Sequence, residues 1–301
     1  MNDINGILVV NKPAGFTSHD VVAKLRNLLH IKKIGHTGTL DPNVTGVLPV
    51  CIGSATKAAP FLVDKSKTYQ GQLILGLATD TEDLDGKVLN EIHLKEFYSD
   101  KTIIKNMQKL VGDIKQIPPM YSAVKVNGKK LYEYARNGEN VERPIRQIHV
   151  NSFEFIKSFF NKSIGQQIIE FKVDCSKGTY VRTLVTQLGE LLNVPAVMKS
   201  LVRIRSGQFT LNKSLTLENI EEKIRSKKIM DYIFSLDQIF TDYPKVNLSM
   251  RQWEKVKNGG FLKLDLDSKI VCLTYSNKVK AIYQQYKDGY FKPLKMFLNN
   301  N

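Results

Sequence analysis

The sequence predicts an α+β protein: a large domain that mixes strands and helices around a sheet, followed by a small β-rich module. Three observations predict it. Stretches of strict apolar–polar alternation stand beside stretches with apolar residues at helical spacing. The two kinds intermix without a regular βαβ repeat, which argues against a doubly wound sheet. The texture then changes at Asp242-Tyr243-Pro244, beyond which about 55 residues read mostly as short strands and turns.

Taken in order, Gly6 to Val10 is an apolar strand, and Lys12, Pro13 and Gly15 mark the loop after it. Thr17 or Ser18 can cap the helix that follows, in which Val21, Val22, Leu25, Leu28 and Leu29 recur on one face. Thr68 to Leu77 alternates, with Tyr69, Gly71, Leu73 and Leu75 on one side and Gln70 and Gln72 on the other, as in a half-buried strand. An acidic turn runs from Asp80 to Gly86, and a short strand is expected to pair back from Lys87; the turn itself reads as solvated. Ile103, Ile104, Met107 and Val111 mark a helix that stops at Gly112. Gln167 to Cys175 alternates again, with Ile169, Phe171 and Val173 facing one way. After Ser176-Lys177-Gly178-Thr179 a helix begins, with Val181, Leu184, Val185 and Leu188 at its apolar positions. The last segment holds a short helix near Arg251 to Val256, the Asn258-Gly259-Gly260 turn and strands ending at Phe291 to Phe297. These readings give two domains, 1–242 and 243–301.

Composition narrows the function. Of 301 residues, 42% are hydrophobic, enough for a sizeable core, so disorder is not expected. Lys and Arg total 44 against 29 acidic residues, a formal charge of +15, which favours a polyanionic partner. No apolar run reaches the roughly 18 residues of a membrane span, and the N-terminus lacks the pattern of a secretory signal. From charge alone, a nucleic-acid partner and a basic soluble protein with no such partner stand about even, and the compartment expected is the cytoplasm. Cys51, Cys175 and Cys272 lie far apart, a pattern of neither disulfide framework nor zinc ribbon; buried free thiols are expected.

Two clusters stand out. Gly35-His36-Thr37-Gly38-Thr39-Leu40-Asp41-Pro42 continues to Pro49, with three glycines and two prolines in 15 residues. Such a segment is neither helix nor central strand, so a constrained loop presents His36 and Asp41. From the residues alone, Asp41 is either a carboxylate on display or an Asp capping a backbone amide before Pro. The second cluster, Ser176 to Arg182, lies at a strand-to-helix junction. Arg182 falls in the first helical turn, where the helix dipole disfavours a cation, which points to a specific anionic partner, a solvated arginine being the alternative.

The blocks Gly6 to Gly15, Thr17 to Val22, Gly35 to Pro42, Lys67-Thr68-Tyr69, Thr79 to Thr81 with Asp85-Gly86, Pro118 to Ala135 and Ser176 to Arg182 occur in one order. In that order they closely resemble the bacterial tRNA pseudouridine-55 synthase family (TruB type), over roughly residues 5 to 210. The resemblance implies a mixed α/β catalytic domain around an antiparallel sheet, with a small C-terminal RNA-binding domain related to PUA modules. It implies that Asp41 is the catalytic aspartate and Arg182 its ion-pair partner. Tyr69 would stack on the target base, its phenol a candidate for proton transfer. His36 and Tyr180 would line the site of the flipped nucleotide, and Leu201 would contact the uracil. The family commonly reads Leu-Arg-Arg where this chain has Leu201-Val202-Arg203, so the likeness is weakest there. It also implies a tRNA partner engaged at the T-loop and arm, a monomer, and no cofactor or metal. Lys125, Lys129, Lys130, Arg143 and Arg146 are candidates to track phosphates, although each taken singly reads as a solvated surface charge rather than a specific contact.

Two other readings stay open at this point. One is a tRNA-binding or folding module without catalysis, which keeps the charge and aromatics but has no use for an Asp41–Arg182 pair. The other is a metal-dependent phosphate enzyme built on Asp80, Glu82, Asp83 and Asp85. The segment Thr81 to Ile92 has part of a calcium loop but lacks its first Asp and terminal Glu.

Overall fold

The computed structural model describes residues 4–298 and 300. The N-terminal part consists of β1 (Gly6–Lys12), α1 (Ser18–Leu29), β2 (Ile34–His36), β3 (Thr45–Ile52) and α2 (Ala59–Val63). Next come β4 (Lys67–Leu75), β5 (Leu77–Thr79), β6 (Val88–Glu91), α3 (Asp100–Gln108) and β7 (Gly112–Gln116). A small insert follows: β8 (Lys125–Val126), β9 (Lys129–Lys130) and α4 (Leu131–Arg136). The middle of the chain forms β10 (Arg146–Asn161), β11 (Gln166–Cys175), α5 (Val181–Leu192), β12 (Ala196–Ser206) and β13 (Phe209–Thr210). The remainder holds α6 (Leu217–Arg225), β14 (Ile233–Phe234), α7 (Leu236–Ile239), β15 (Lys245–Asn247), α8 (Met250–Val256) and β16 (Leu262–Lys263). It ends with β17 (Ile270–Tyr275), β18 (Lys278–Lys287) and β19 (Tyr290–Met296).

The chain divides into two compact units. Met1–Pro42, Leu48–Val63 and Asn212–Asn301 form one, and Asn43–Val47 with Asp64–Leu211 form the other. In the first unit, β1 pairs antiparallel with β14 and β2 pairs antiparallel with β3. Ile7, Leu8, Val9 and Val10 are all buried, so β1 is a continuous apolar run rather than an alternating one. Thr17 is the cap of α1: its hydroxyl accepts from the Asp20 amide, and the Asp20 carboxylate accepts from the Thr17 amide. Val21, Val22, Leu25 and Leu29 form the buried face of that helix.

The same unit contains a five-stranded sheet of its own, in the order β15-β17-β18-β19-β16. Its core is Leu248, Val256, Leu262, Val271, Leu273, Ala281, Tyr283 and Phe291. The Tyr283 hydroxyl donates to the Gly260 carbonyl, and burial pushes its phenol up to about 12.

In the second unit the sheet runs β12-β4-β11-β10-β7, antiparallel at each step. The pairing of β12 with β3 departs from the antiparallel pattern: Val202 and Arg203 run parallel to Thr45 and Gly46 at the start of β3. Gly46 is required here, because a Cβ would lie 2.3 Å from the Arg203 carbonyl oxygen and the backbone has a φ of +103°. The β4 alternation is as expected, and Ile169, Phe171 and Val173 are fully buried. The helix around Ile103 ends earlier than its sequence suggests: α3 stops at Gln108, and Gly112, with a φ of +97°, opens β7.

Candidate active site

His36 and Asp41 belong to the first unit, whereas Tyr69, Tyr180, Arg182 and Leu201 belong to the second. In the first unit, Asp41 is half-buried on the loop after β2, and the backbone on both sides of it is fixed. Before it, the Ser18 hydroxyl accepts from the Leu40 amide at 2.8 Å and donates to the Leu40 carbonyl at 3.2 Å. Behind it, the Pro42 carbonyl accepts from the Gly15 amide at 3.0 Å and from Lys12 Nζ at 2.8 Å. Lys12 is fully buried, and its ammonium also donates to the Pro13 and Phe16 carbonyls. Three carbonyl acceptors match the three donors of an ammonium, which offsets the cost of burying the charge. Thr37 is held by the Pro49 carbonyl through both its amide and its hydroxyl. The Gly38 amide donates to Nδ1 of His36 at 3.3 Å, so a neutral imidazole carries its proton on Nε2. An Asp carboxylate is thereby presented by a loop with little backbone freedom.

In the second unit, strand register places Tyr69 opposite Val173 on β11 and opposite Arg203 on β12. Gly71, two residues on, is opposite Phe171 and Leu201, so Tyr69, Leu201 and Arg203 share one face of the sheet. A side chain at Gly71 would collide with Leu201 Cδ1 at 2.9 Å and the Ser200 carbonyl at 2.4 Å. Arg203 is 1% exposed and donates through Nε to the Val47 carbonyl at 2.7 Å, anchoring the start of β3. Lys67 lies on this face too; burial and the nearby Arg203 bring its amine down to about 8.

Tyr180 is the residue that caps α5, and its side chain makes no capping hydrogen bond. Its backbone is instead gripped by Gln116. The Tyr180 amide donates to Gln116 Oε1 at 2.7 Å, and Gln116 Nε2 donates to the Tyr180 carbonyl at 3.1 Å. Arg182, in the first turn of α5, is buried. Its guanidinium donates to the Thr81 carbonyl at 2.8 Å, the Tyr121 carbonyl at 2.9 Å and the Asp83 carboxylate at 3.3 Å.

The acidic turn is therefore not a solvated one. Asp83 meets Arg182, the Thr183 hydroxyl donates to Glu82 at 2.6 Å, and the Met198 amide donates to the Glu82 carbonyl. Asn43 Nδ2 donates to both oxygens of Asp85, at 2.7 and 2.8 Å, and Asp80 accepts from the Lys87 amide. A carboxylate-bearing turn is drawn to the first turn of α5, where the helix dipole and Arg182 are both positive. Burial raises the Glu82 carboxyl above the ordinary range, partly opposed by Thr183 and Arg182. Among the described residues no group of three or more His, Cys, Asp or Glu side chains is placed to hold a metal ion.

Residues 26–181 match the N-terminal domain of the TruB family of pseudouridylate synthases, and residues 182–241 match the tRNA pseudouridylate synthase B C-terminal domain. The chain is 46% identical over 301 residues to a tRNA pseudouridine synthase B of Limosilactobacillus reuteri, covering 99% of this chain and 100% of that one. It is 49% identical to that of Lactobacillus delbrueckii subsp. bulgaricus over 297 residues, covering 98% and 99%. The chain belongs to the TruB family of pseudouridylate synthases. Its fold is also that of a Cbf5 chain solved in a Cbf5–Nop10–Gar1 complex, with a TM-score of 0.73 at 24% identity over 97% of this chain and 84% of that one. The Cbf5 chain of an archaeal box H/ACA Nop10–Cbf5 complex gives 0.70 at 21% identity, covering 98% and 86%. The fold is thus the mixed α/β pseudouridine synthase fold with a small β-rich PUA-like C-terminal module.

In this TruB-family chain, Lys12, Ser18 and Gln116 hold the backbone of the expected residues, a role with no signal in the sequence. Lys12 and Ser18 lie in the quoted blocks, but their partners are 22 to 30 residues away, a separation that no local pattern reveals. Gln116 has no signal at all beyond being a polar residue at the end of a strand. Of the expected phosphate contacts, Lys129 is paired with Glu139 at 2.7 Å and Arg143 donates to the Pro118 carbonyl. Lys125 and Arg146 are exposed. Cys51, Cys175 and Cys272 are buried free thiols, each pushed by burial up to about 12 and so unreactive.

Proposed function

We propose that this tRNA pseudouridine synthase isomerises the T-loop uridine at position 55, with Asp41 as the catalytic carboxylate. The observation that supports this most is the Asp41 loop itself, pinned at Leu40 by Ser18 and at Pro42 by Lys12 and Gly15. A reacting carboxylate benefits from that rigidity, because every reorientation it avoids lowers the barrier. A turn Asp serving only as a cap has no need of it.

The reaction breaks the N1–C1′ bond of uridine, turns the uracil and rejoins it through C5, the C5 proton moving to solvent or to N1. Nothing is oxidised and no group is imported. An ionised carboxylate serves either by attack or by taking a proton from the sugar. Arg182 is assigned as its electrostatic partner, a guanidinium being permanently charged and able to favour the anion. Tyr69 is assigned to stack on the everted base and is the candidate for proton transfer, with His36, Tyr180 and Leu201 lining the nucleotide. Flipping costs a few kcal/mol, of which stacking on one aromatic ring returns about 1–3 kcal/mol. The reading includes a monomer acting in the cytoplasm, a catalytic domain over 1–242 and an RNA-binding module over 243–301.

The decisive measurement is release of tritium from 5-tritiated uridine in a tRNA transcript, since C5 gives up its hydrogen only when it bonds to C1′. Asp41→Asn is expected to abolish release while tRNA affinity stays near the parent value. Release at the parent rate would refute the assignment, and mapping the modified position in the transcript tests the T-loop.

A further inference from the structure

Two irregularities in the sheet of the second unit meet at one rung, beside Tyr69. Along β12, Arg203 is opposite Tyr69 but Arg205 is opposite Thr68, so Ile204 is the extra residue of a β-bulge, a device that re-aims side chains. Along β10, Val150 is opposite Cys175 but Ser152 is opposite Asp174, so Asn151 is the extra residue of a second bulge. Thr68 and Asp174 are opposite each other on the two strands between, β4 and β11. In an unbroken strand Arg203 and Arg205 would share a face. The bulge at Ile204 separates them: Arg203 is buried on the face of Tyr69, and Arg205 turns to the reverse face with Thr68.

On that reverse face the four strands are tied through their side chains. One Asp174 oxygen accepts from Asn151 Nδ2 at 2.6 Å, and the other accepts from the Thr68 hydroxyl and from the Arg205 guanidinium, both at 2.5 Å. Arg205 Nε donates to the Thr68 hydroxyl at 2.8 Å, and its terminal nitrogens reach the Ser66 hydroxyl at 3.0 Å and the Gly207 carbonyl at 2.9 Å. Burial raises the Asp174 carboxyl, but the hydrogen bonds from Thr68, Arg205 and Asn151 together hold it below the ordinary carboxylate range. Thr68 is buried, so a partner lost there is not replaced by water. Ion pairs farther along the same face are looser, Lys172 with Glu154 and Lys157 with Glu170 each at 3.5 Å. Stability of the sheet alone does not require the tighter cluster to stand at the rung next to Tyr69. A guanidinium and a carboxylate placed there fix the backbone between Thr68 and Tyr69, and with it the direction of the Tyr69 ring.

We propose that Thr68, Asp174 and Arg205 are positioning residues for Tyr69, holding β4 so that its ring meets the everted base. This rests on the reading that Tyr69 stacks on that base. The test uses the full chain, a 5-tritiated tRNA transcript, and a T-arm stem-loop with 2-aminopurine beside the target uridine, whose fluorescence rises when that uridine leaves the stack. Thr68→Val removes the hydroxyl and keeps a β-branched strand residue. It is expected to lower single-turnover tritium release about tenfold, with tRNA affinity little changed. Thr68→Ser restores the hydroxyl and is expected to restore the rate. Glu154→Gln, on the same face but away from the rung, is expected to keep the parent rate. Arg205→Gln, at a more exposed position, is expected to lower the rate as Thr68→Val does, and serves if that variant folds poorly. With the stem-loop at saturating protein, Tyr69→Leu and Thr68→Val are each expected to lower the fluorescence, and Thr68→Val to lower it no further once Tyr69 is Leu. Parent rates in both Thr68→Val and Arg205→Gln overturn the proposal. So does a loss that Thr68→Ser or Glu154→Gln shares, or one that persists in full without the Tyr69 ring, since the cluster would then only support the sheet. A Tyr69→Leu signal equal to the parent's strikes the stacking role of Tyr69 itself, and the positioning role falls with it.

Discussion

Lys67 shows what a single buried charge contributes. Its amine is lowered from 10.5 to about 8, mainly by burial and secondly by Arg203. Below about pH 8 it is charged in folded and unfolded chain alike, and its burial opposes folding by a constant amount. Between about 8 and 10.5 the unfolded chain still holds a proton that the folded chain has released. Stability therefore rises with pH across that window, by at most about 1.4 kcal/mol per pH unit. Lys67→Met is expected to remove this rise and to be more stable than the parent at neutral pH, as measured by urea unfolding at a series of pH values. An identical pH profile in parent and variant would show that Lys67 is not desolvated. At this scale the sequence was legible in type but not in partner. Asp41 stood out because Gly and Pro crowd around it, and Arg182 because a cation in a first helical turn conflicts with the dipole. That Arg182 reaches Asp83, about a hundred residues away in sequence, depends on tertiary packing that no local pattern records.

The elements with strong periodicity were the legible ones. β4, β11, α1 and α5 bury the faces their sequences assign, because alternation and helical spacing leave only one way to hide the apolar side. The acidic turn was misread for the converse reason: charge density suggests water unless the partner is known, and here the partner is the start of α5. The parallel pairing of β3 with β12 was also hidden, since register between distant strands leaves no mark in either one. Helix α1 has a role beyond packing: its first residue, Ser18, is 1% exposed and meets the amide and carbonyl of Leu40. Ser18→Ala leaves a buried amide unsatisfied, a cost of about 1–3 kcal/mol, and loosens the loop just before Asp41. The expected outcome is a fall in single-turnover tritium release of about tenfold or more, an effect worth about 1.4 kcal/mol in the barrier, with tRNA affinity little changed. A variant that loses stability without losing rate would show that Ser18 supports the fold and not the loop.

At the scale of the whole molecule the question is how a charge of +15 is spent. Net charge sets attraction to a polyanion, but the salt dependence of binding counts only cations that meet phosphates. Of the five basic residues expected to track the backbone, Lys129 is already neutralised by Glu139 and Arg143 is engaged by Pro118. Lys125, Lys130 and Arg146 are left, Lys130 leaning on the Tyr132 ring, and the five-stranded sheet adds Lys263, Lys287 and Lys292 on β16, β18 and β19. Six contacts at about 0.9 counterions each predict a log–log slope near −5, and a loss of affinity of about a thousandfold between 50 and 200 mM salt. Changing the three C-terminal lysines to Gln is expected to bring the slope to about −3, while Lys129→Gln is expected to leave it where it was, because that charge is spent inside the protein. Filter binding of a tRNA transcript at several salt concentrations measures both slopes. A parent slope near zero would mean that the basic surface faces something other than RNA, and an unchanged slope in the triple variant would remove those lysines from the RNA path.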